Sequence, residues 1–291
     1  MSEVLSSAED LKSKESLEFL SYFPTDLERA KEGQKKFNEV FERSEILKKF
    51  SKKDRYFKSR MLYGAMGLHP EVGFYWGAGF NDAENDDEKK ELKRIYEDEL
   101  GLKVLNLPEG IVSVINPKSV EKVIKNCPIP ELFPGEARAD PVGWVEKNPE
   151  EWGDNRVGNH DPAPRARFGI LSGYSPNASS VYEKYLEAKR ILDKNLSKRE
   201  LEPYYKYANA SRESRALPKI FEKKLSGIVG SKKITNFQAE LLRNWFSHHA
   251  NELEYFGDGF SDEDAEYFEN IKKLLKESGI DYTHNIYKSD H

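Results

Sequence analysis

Half of the prolines in this chain fall in one stretch. Pro128, Pro130, Pro134, Pro141, Pro149, Pro162 and Pro164 all lie between Asn126 and Arg167, out of 14 in total. Proline fixes φ and removes a backbone donor, so it is excluded from helix interiors and central strands. A stretch this long without regular structure is uncommon inside a compact domain. It reads as an interdomain connection, a lid or a binding loop. Trp144 and Trp152 inside it favour an ordered loop, because a free linker would leave them wet. The expected organisation is a helical N-terminal region over 1–65, followed by a domain over 66–291. That domain carries the proline-rich loop 126–167 and a helical block 176–250.

The chain has 291 residues, enough to bury a sizeable core. Its mean hydropathy of −0.78 is polar. The 16 Phe, 15 Tyr and 4 Trp nevertheless supply large burial per residue, which argues against general disorder. No apolar run has the length of a membrane span. The first residues lack the basic-then-apolar order of a secretory signal. Cys127 is the only cysteine, so no intrachain disulfide can form and a reducing, cytoplasmic setting is expected. Its thiol reads as a small buried hydrophobe. A net charge of −5 argues against a protein that coats nucleic acid non-specifically.

Periodicity supplies the elements. Pro24-Thr25-Asp26-Leu27-Glu28 resembles a capping box with Thr25 as N-cap. Leu27, Ala30, Phe37, Phe41, Leu47 and Phe50 follow at near-helical spacing, with Gly33 a local weakness. Val72–Trp76 reads as a strand feeding a glycine loop, and Asp86–Leu100 as a helix stopped at Gly101. Leu102–Leu105 and Ile111–Ile115 are strand candidates, and Asn116-Pro117 opens a helix to about Lys125. Arg167–Tyr174 reads as a buried strand, after which Ser175-Pro176 opens another helix. Short strands are also expected at Leu253–Phe256 and Ile280–Tyr287. Strands alternating with helices indicate an α/β fold: a mostly parallel sheet with flanking helices, a helical N-terminal extension and a helical insertion.

Two segments resemble one another. Tyr75-Trp76-Gly77-Ala78-Gly79-Phe80-Asn81-Asp82 lines up with Tyr255-Phe256-Gly257-Asp258-Gly259-Phe260-Ser261-Asp262. In a parallel sheet such glycine turns deliver backbone amides to helix N-termini at the strand carboxyl edge, where ligands bind. Asn81, Asp82, Asp258, Ser261 and Asp262 would lie along that rim, although Asp and Ser there are also explained as helix caps. Ser172 and Tyr174 would join them from the strand over 167–174. The glycine spacing around Ser172 fails the nucleophile-elbow pattern.

The segment Asn155–Arg167 is the densest group of site-capable residues. His160 can move protons near neutral pH, and the adjacent Asp161 can orient it. Arg165 and Arg167 offer forked donors to a phosphate or carboxylate. His248 and Glu252 stand four residues apart, but no third ligand accompanies them and they read as a helix end rather than a metal site. Leu47–Arg60 carries seven basic residues against Asp54, interleaved with Phe50, Tyr56 and Phe57. Basic groups alternating with aromatics can bind nucleic acid, although the aromatics equally suit a buried stripe. Asp82–Glu99 is acid-rich. Phosphate-loop, dinucleotide and EF-hand fingerprints are absent, and no cofactor or metal is implied.

The leading functional expectation is an enzyme acting on a small polar or anionic ligand at the strand carboxyl edge. In it His160 transfers protons, Arg165 and Arg167 clamp the ligand, and Asp82 or Asp262 orients it. The alternative is a non-catalytic binding or regulatory protein. It would use the basic helix 47–60, or the loop 140–167, against a protein or nucleic acid.

Overall fold

A computed structural model describes residues 24–73, 77–153, 162–195, 219–231, 233–236, 238–239, 273 and 276. The first described elements are α1 (Leu27–Arg43), α2 (Glu45–Lys53) and α3 (Phe57–Met66). The expected stripe is buried at Ala30, Phe37, Phe41, Leu47 and Phe50. The stripe does not run along one rod, however. Ser44 ends α1 and its side chain caps α2, accepting from Leu47 N at 3.3 Å. The basic run 47–60 is therefore split between two helices. The N-cap of α1 is Asp26, whose Oδ1 accepts from Arg29 N at 2.9 Å. Thr25, expected as that cap, is buried and donates to the Met66 carbonyl at 2.9 Å, tying the segment before α1 to the end of α3.

Gly33 is not the local weakness that helix propensity suggests. A Cβ there would lie 2.7 Å from the Ala65 carbonyl carbon and 2.9 Å from Met66 Cα. The glycine allows α1 and α3 to touch backbone to backbone.

Among the described residues the sheet has three strands: β1 (Glu71–Val72), β2 (Lys103–Asn106) and β3 (Val112–Ile115). Their spatial order is β1-β3-β2 and both pairings are antiparallel. This overturns the expected mostly parallel sheet. The reason is arithmetic: β2 and β3 are joined by residues 107–111, and a parallel crossover needs a dozen or more. The connection is a hairpin containing Pro108–Gly110, with Gly110 at φ 76°. The strand expected over 72–76 shrinks to β1, and residues 74–76 lie outside the described residues.

Alternation along the strands builds two cores. Val72, Val104 and Val114 face one cluster with Phe37, Phe50, Phe57, Leu92 and Tyr96. Leu105 and Ile115 face a second cluster with Val120, Ile124, Phe133, Trp144, Trp152 and Ile170. The small sheet is thus a wall between two helical layers. The first layer is completed by α4 (Asp86–Arg94), which widens into a π turn over Ile95–Glu99 before Gly101 at φ 69°. That is the helix and stop the sequence predicts. β2 lies at one end of the strand order, and its Val104 N–H donates to the Glu97 carboxylate at 3.3 Å.

The second layer corrects the proline-rich loop. It contains α5 (Pro117–Lys125), α6 (Gly135–Ala139), α7 (Pro141–Lys147), a 3-10 turn at Pro149–Glu151 and α8 (Pro162–Leu171). Proline sits in the first turn of α5, α7 and the 3-10 turn, where its missing N–H costs nothing. Asn116 and Asp140 cap α5 and α7 by accepting from Ser119 N at 3.2 Å and Gly143 N at 3.1 Å. The prolines start helices here rather than abolishing them. The expected strand over 167–174 is also overturned: Arg167–Leu171 is the end of α8. Ala166 and Ile170, four residues apart, share its buried face. Gly173, at φ 95°, turns the chain into α9 (Pro176–Asn195), opened by Pro176 as expected. A further helix, α10, spans Lys219–Gly230. The strands expected at 253–256 and 280–287 lie outside the described residues. No helix among the described residues is long and apolar enough to cross a membrane.

Candidate functional site

Antiparallel strands have no common carboxyl edge, so the rim on which the expected pocket was built is not formed by β1, β2 and β3. The first glycine loop is folded inward. Gly77, Ala78, Gly79 and Phe80 are all buried, Tyr96 donates its hydroxyl to the Ala78 carbonyl at 2.7 Å, and Gly79 approaches the Phe50 and Phe57 rings. Ala78 takes φ 47°, an uncommon value for a residue with a Cβ. Asn81 and Asp82 follow, both exposed. The Asn81 side chain lies over Gly77, and the Asp82 carbonyl accepts from Lys53 Nζ at 3.4 Å. The second glycine loop, with Asp258, Ser261 and Asp262, lies outside the described residues, as do His160, Asp161, His248 and Glu252.

Arg165 lies within α8. The Arg167 guanidinium is turned toward protein: Nε donates to the Leu132 carbonyl at 2.5 Å, and Nη1 to the Glu151 carbonyl at 2.9 Å and carboxylate at 2.5 Å. It also lies 5.8 Å from the centre of the Trp144 ring system. Ser172 and Tyr174 occupy the α8–α9 turn and are half-buried. This turn meets the segment after α3, for a Cβ on Gly173 would stand 3.0 Å from the His69 Cδ2.

His69 lies at that junction with its Nε2 shielded from solvent. Its ring lies 5.5 Å from that of Tyr63. Burial, aided by the positive charge of Arg60, pushes its pKa down to about 4, so the ring is neutral near pH 7. Glu71 is buried and receives the Ser113 hydroxyl on Oε1 at 2.6 Å across the sheet. Cys127 is buried, and desolvation pushes its thiol pKa up, away from nucleophilic use. Among the described residues no three His, Cys, Asp or Glu side chains are grouped to hold a metal.

The surface chemistry concentrates at the corner between α2 and α3. Asp54 fixes this turn: its N–H bonds the Phe50 carbonyl at 2.9 Å, its Oδ1 accepts from Tyr56 N at 2.8 Å, and its carbonyl accepts from Phe57 N at 3.1 Å. Phe50 and Phe57 turn inward and are buried. Tyr56 stays at the surface with two cations against its ring, Arg55 at 4.5 Å and Arg60 at 5.4 Å. Lys58 sits 4.4 Å from the ring centre of Phe41, contributed by α1. Lys52 and Lys58 are exposed.

The acid-rich segment meets the other flank of the basic one. Lys49 reaches Glu84 at 2.9 Å and Glu88 at 2.6 Å, and Lys53 reaches Glu84 at 3.3 Å. These bonds hold Glu84 and Glu88 below the usual carboxylate range and raise Lys49. The sequence signals the two opposite charge runs but not their meeting, and the role of Phe41 as a seat for Lys58 has no local signature. Comparison of the chain with protein-family models, with curated proteins and with solved structures finds no match.

Proposed function

We propose that this chain is a non-catalytic binding protein that engages an anionic partner macromolecule at the α2–α3 corner. The carrying observation is the seating of three cations on aromatic faces there: Arg55 and Arg60 on Tyr56, and Lys58 on Phe41. Long cationic side chains ordinarily lose conformational freedom on binding. A ring beneath each one, and a turn fixed by Asp54, reduce that loss in advance. The lone, buried Cys127 supports a reducing compartment such as the cytoplasm.

The test is retention on immobilised polyglutamate at low and high ionic strength, for wild type, Tyr56→Ala, Lys58→Ala and the distant surface control Lys118→Ala. Wild type and the control should be retained at low ionic strength and released at high. The two corner variants should bind about threefold or more weakly, which corresponds to losing one exposed cation–π contact. Equal retention of all four proteins removes the corner from the function.

A further inference from the structure

Two helices from different layers bring a guanidinium and an ammonium into one recess. Ser119 of α5 sits against the end of α3. Its hydroxyl donates to the Gly67 carbonyl at 3.0 Å, and a Cβ on Gly67 would stand 2.5 Å from its oxygen. Arg29, in the first turn of α1, reaches across and donates from Nη2 to the same Ser119 Oγ at 3.3 Å. Lys122 lies three residues further along α5, on the face that carries Ser119. Its Nζ reaches the Thr25 carbonyl at 3.4 Å. The two cations therefore stand over a floor of Ser119 and Thr25, which are 0% and 1% exposed.

Among the described residues neither Arg29 nor Lys122 is bridged to a carboxylate. The acid whose charge reaches Lys122 is Asp26. That carboxylate is already engaged as the N-cap of α1, accepting from Arg29 N at 2.9 Å. Lys122 is half-buried. Burial lowers its pKa, while Asp26 and Arg29 pull it in opposite directions. Arg29 also occupies a first helical turn, where the helix dipole favours negative charge. Two cations against one engaged carboxylate leave a single surplus positive charge. A singly charged oxyanion cancels it, whereas a dianion overcorrects and is repelled by Asp26. Among singly charged groups a carboxylate suits the donors. The Arg29 guanidinium offers its two oxygens a planar fork, and the Lys122 ammonium adds a third donor.

We infer that the recess between α1 and α5 binds the carboxylate of a small ligand through Arg29 and Lys122, at a site separate from the α2–α3 corner. The experiment is an NMR titration of the full-length protein with sodium acetate and, separately, with inorganic phosphate. Ionic strength is held constant at about pH 8, where phosphate is chiefly a dianion. Acetate should shift the backbone amides of Arg29, Ser119 and Lys122 saturably and leave that of Gly101, which follows α4, in place. Phosphate should bind at least ~3-fold more weakly. In Arg29→Gln and Lys122→Met, each checked for folding by circular dichroism, acetate affinity should fall ~10-fold, the loss of one charge-assisted hydrogen bond. The wild-type titration refutes the site by itself, so a variant that fails to fold does not shelter it. Amides that do not respond, or that drift without saturating, overturn the inference, as does phosphate binding more tightly than acetate. Shifts confined to the neighbourhood of Tyr56 overturn it too, while the corner keeps its role. Undiminished acetate affinity in folded Arg29→Gln or Lys122→Met also overturns it.

Discussion

Gly33 of α1 packs directly onto the backbone of Ala65 in α3, where a single added methyl would stand 2.7 Å from the carbonyl carbon. Two effects oppose each other at this position. Alanine is the better helix former by about 1 kcal/mol, but forcing a methyl into packed backbone costs about 1–3 kcal/mol and the helices must part. Because the obstacle is main chain and not a movable side-chain tip, the clash should win. Gly33→Ala should lower the urea midpoint, whereas Gly227→Ala, with open space around its Cβ position in α10, should leave stability unchanged or raise it. A more stable Gly33→Ala protein would refute the close approach.

Arg167 acts as a staple for the proline-started helices. Its guanidinium joins the carbonyls of Leu132 and Glu151, and the side chain is only 12% exposed. Arg167→Met keeps much of the packing over Trp144 but orphans both carbonyls. The expected loss is about 1–3 kcal/mol, chiefly from stranding the partly buried Leu132 acceptor. Chemical denaturation followed by tryptophan fluorescence reads it, since Trp144 and Trp152 lie in the same core. A loss below about 0.5 kcal/mol would mean the staple is ornamental.

His69 makes stability pH-dependent in a defined window. Its folded pKa is lowered to about 4 from the usual 6.5, so between these values the unfolded chain binds more protons than the native one. Stability from this group is intact above pH 6.5, falls as pH drops toward 4 and levels off below. The span corresponds to about 3 kcal/mol. Carboxylates titrate nearby, so the informative quantity is the difference between wild type and His69→Gln. The wild-type protein should lose more stability between pH 7 and pH 4 than the variant. Parallel curves would show that the ring gains a proton without penalty.

The Ser113–Glu71 bond lies within the wall between the two cores. Ser113→Ala removes a 2.6 Å donor from a buried carboxyl group. Losing a hydrogen bond of this kind costs about 1.5–3 kcal/mol. Thermal unfolding should show a lowered Tm for Ser113→Ala and a smaller change for Asn106→Ala, at the exposed end of β2. Equal shifts would remove the bond from the account of sheet stability.

What the sequence made legible is what neighbours in sequence decide. The buried stripe through Phe37 and Leu47, the start of α5 at Asn116-Pro117 and the stop at Gly101 are all local, and each is present. The direction of the sheet is not local, yet the hairpin was readable from the five residues between Asn106 and Val112, too few for a crossover. The proline stretch failed for a different reason. Proline was weighed as a breaker, although Asp140-Pro141 and Asn148-Pro149 repeat the cap-then-proline start already recognised at Asn116-Pro117. The short apolar run at Phe168–Leu171 fits strand and helix alike, and only burial of Ala166 with Ile170 separates them. The corner was visible as a run of charge, but not which cations α4 would neutralise, because that depends on helices brought together by the fold.

The carboxylate of Glu97 has one further consequence. By occupying the Val104 amide, it puts a side-chain acceptor on a main-chain donor that a visiting strand would need. A four-residue ribbon capped in this way is a poor template for lateral growth, so the sheet closes its own ledger at β2 and resists zipping onto a sister molecule through that side.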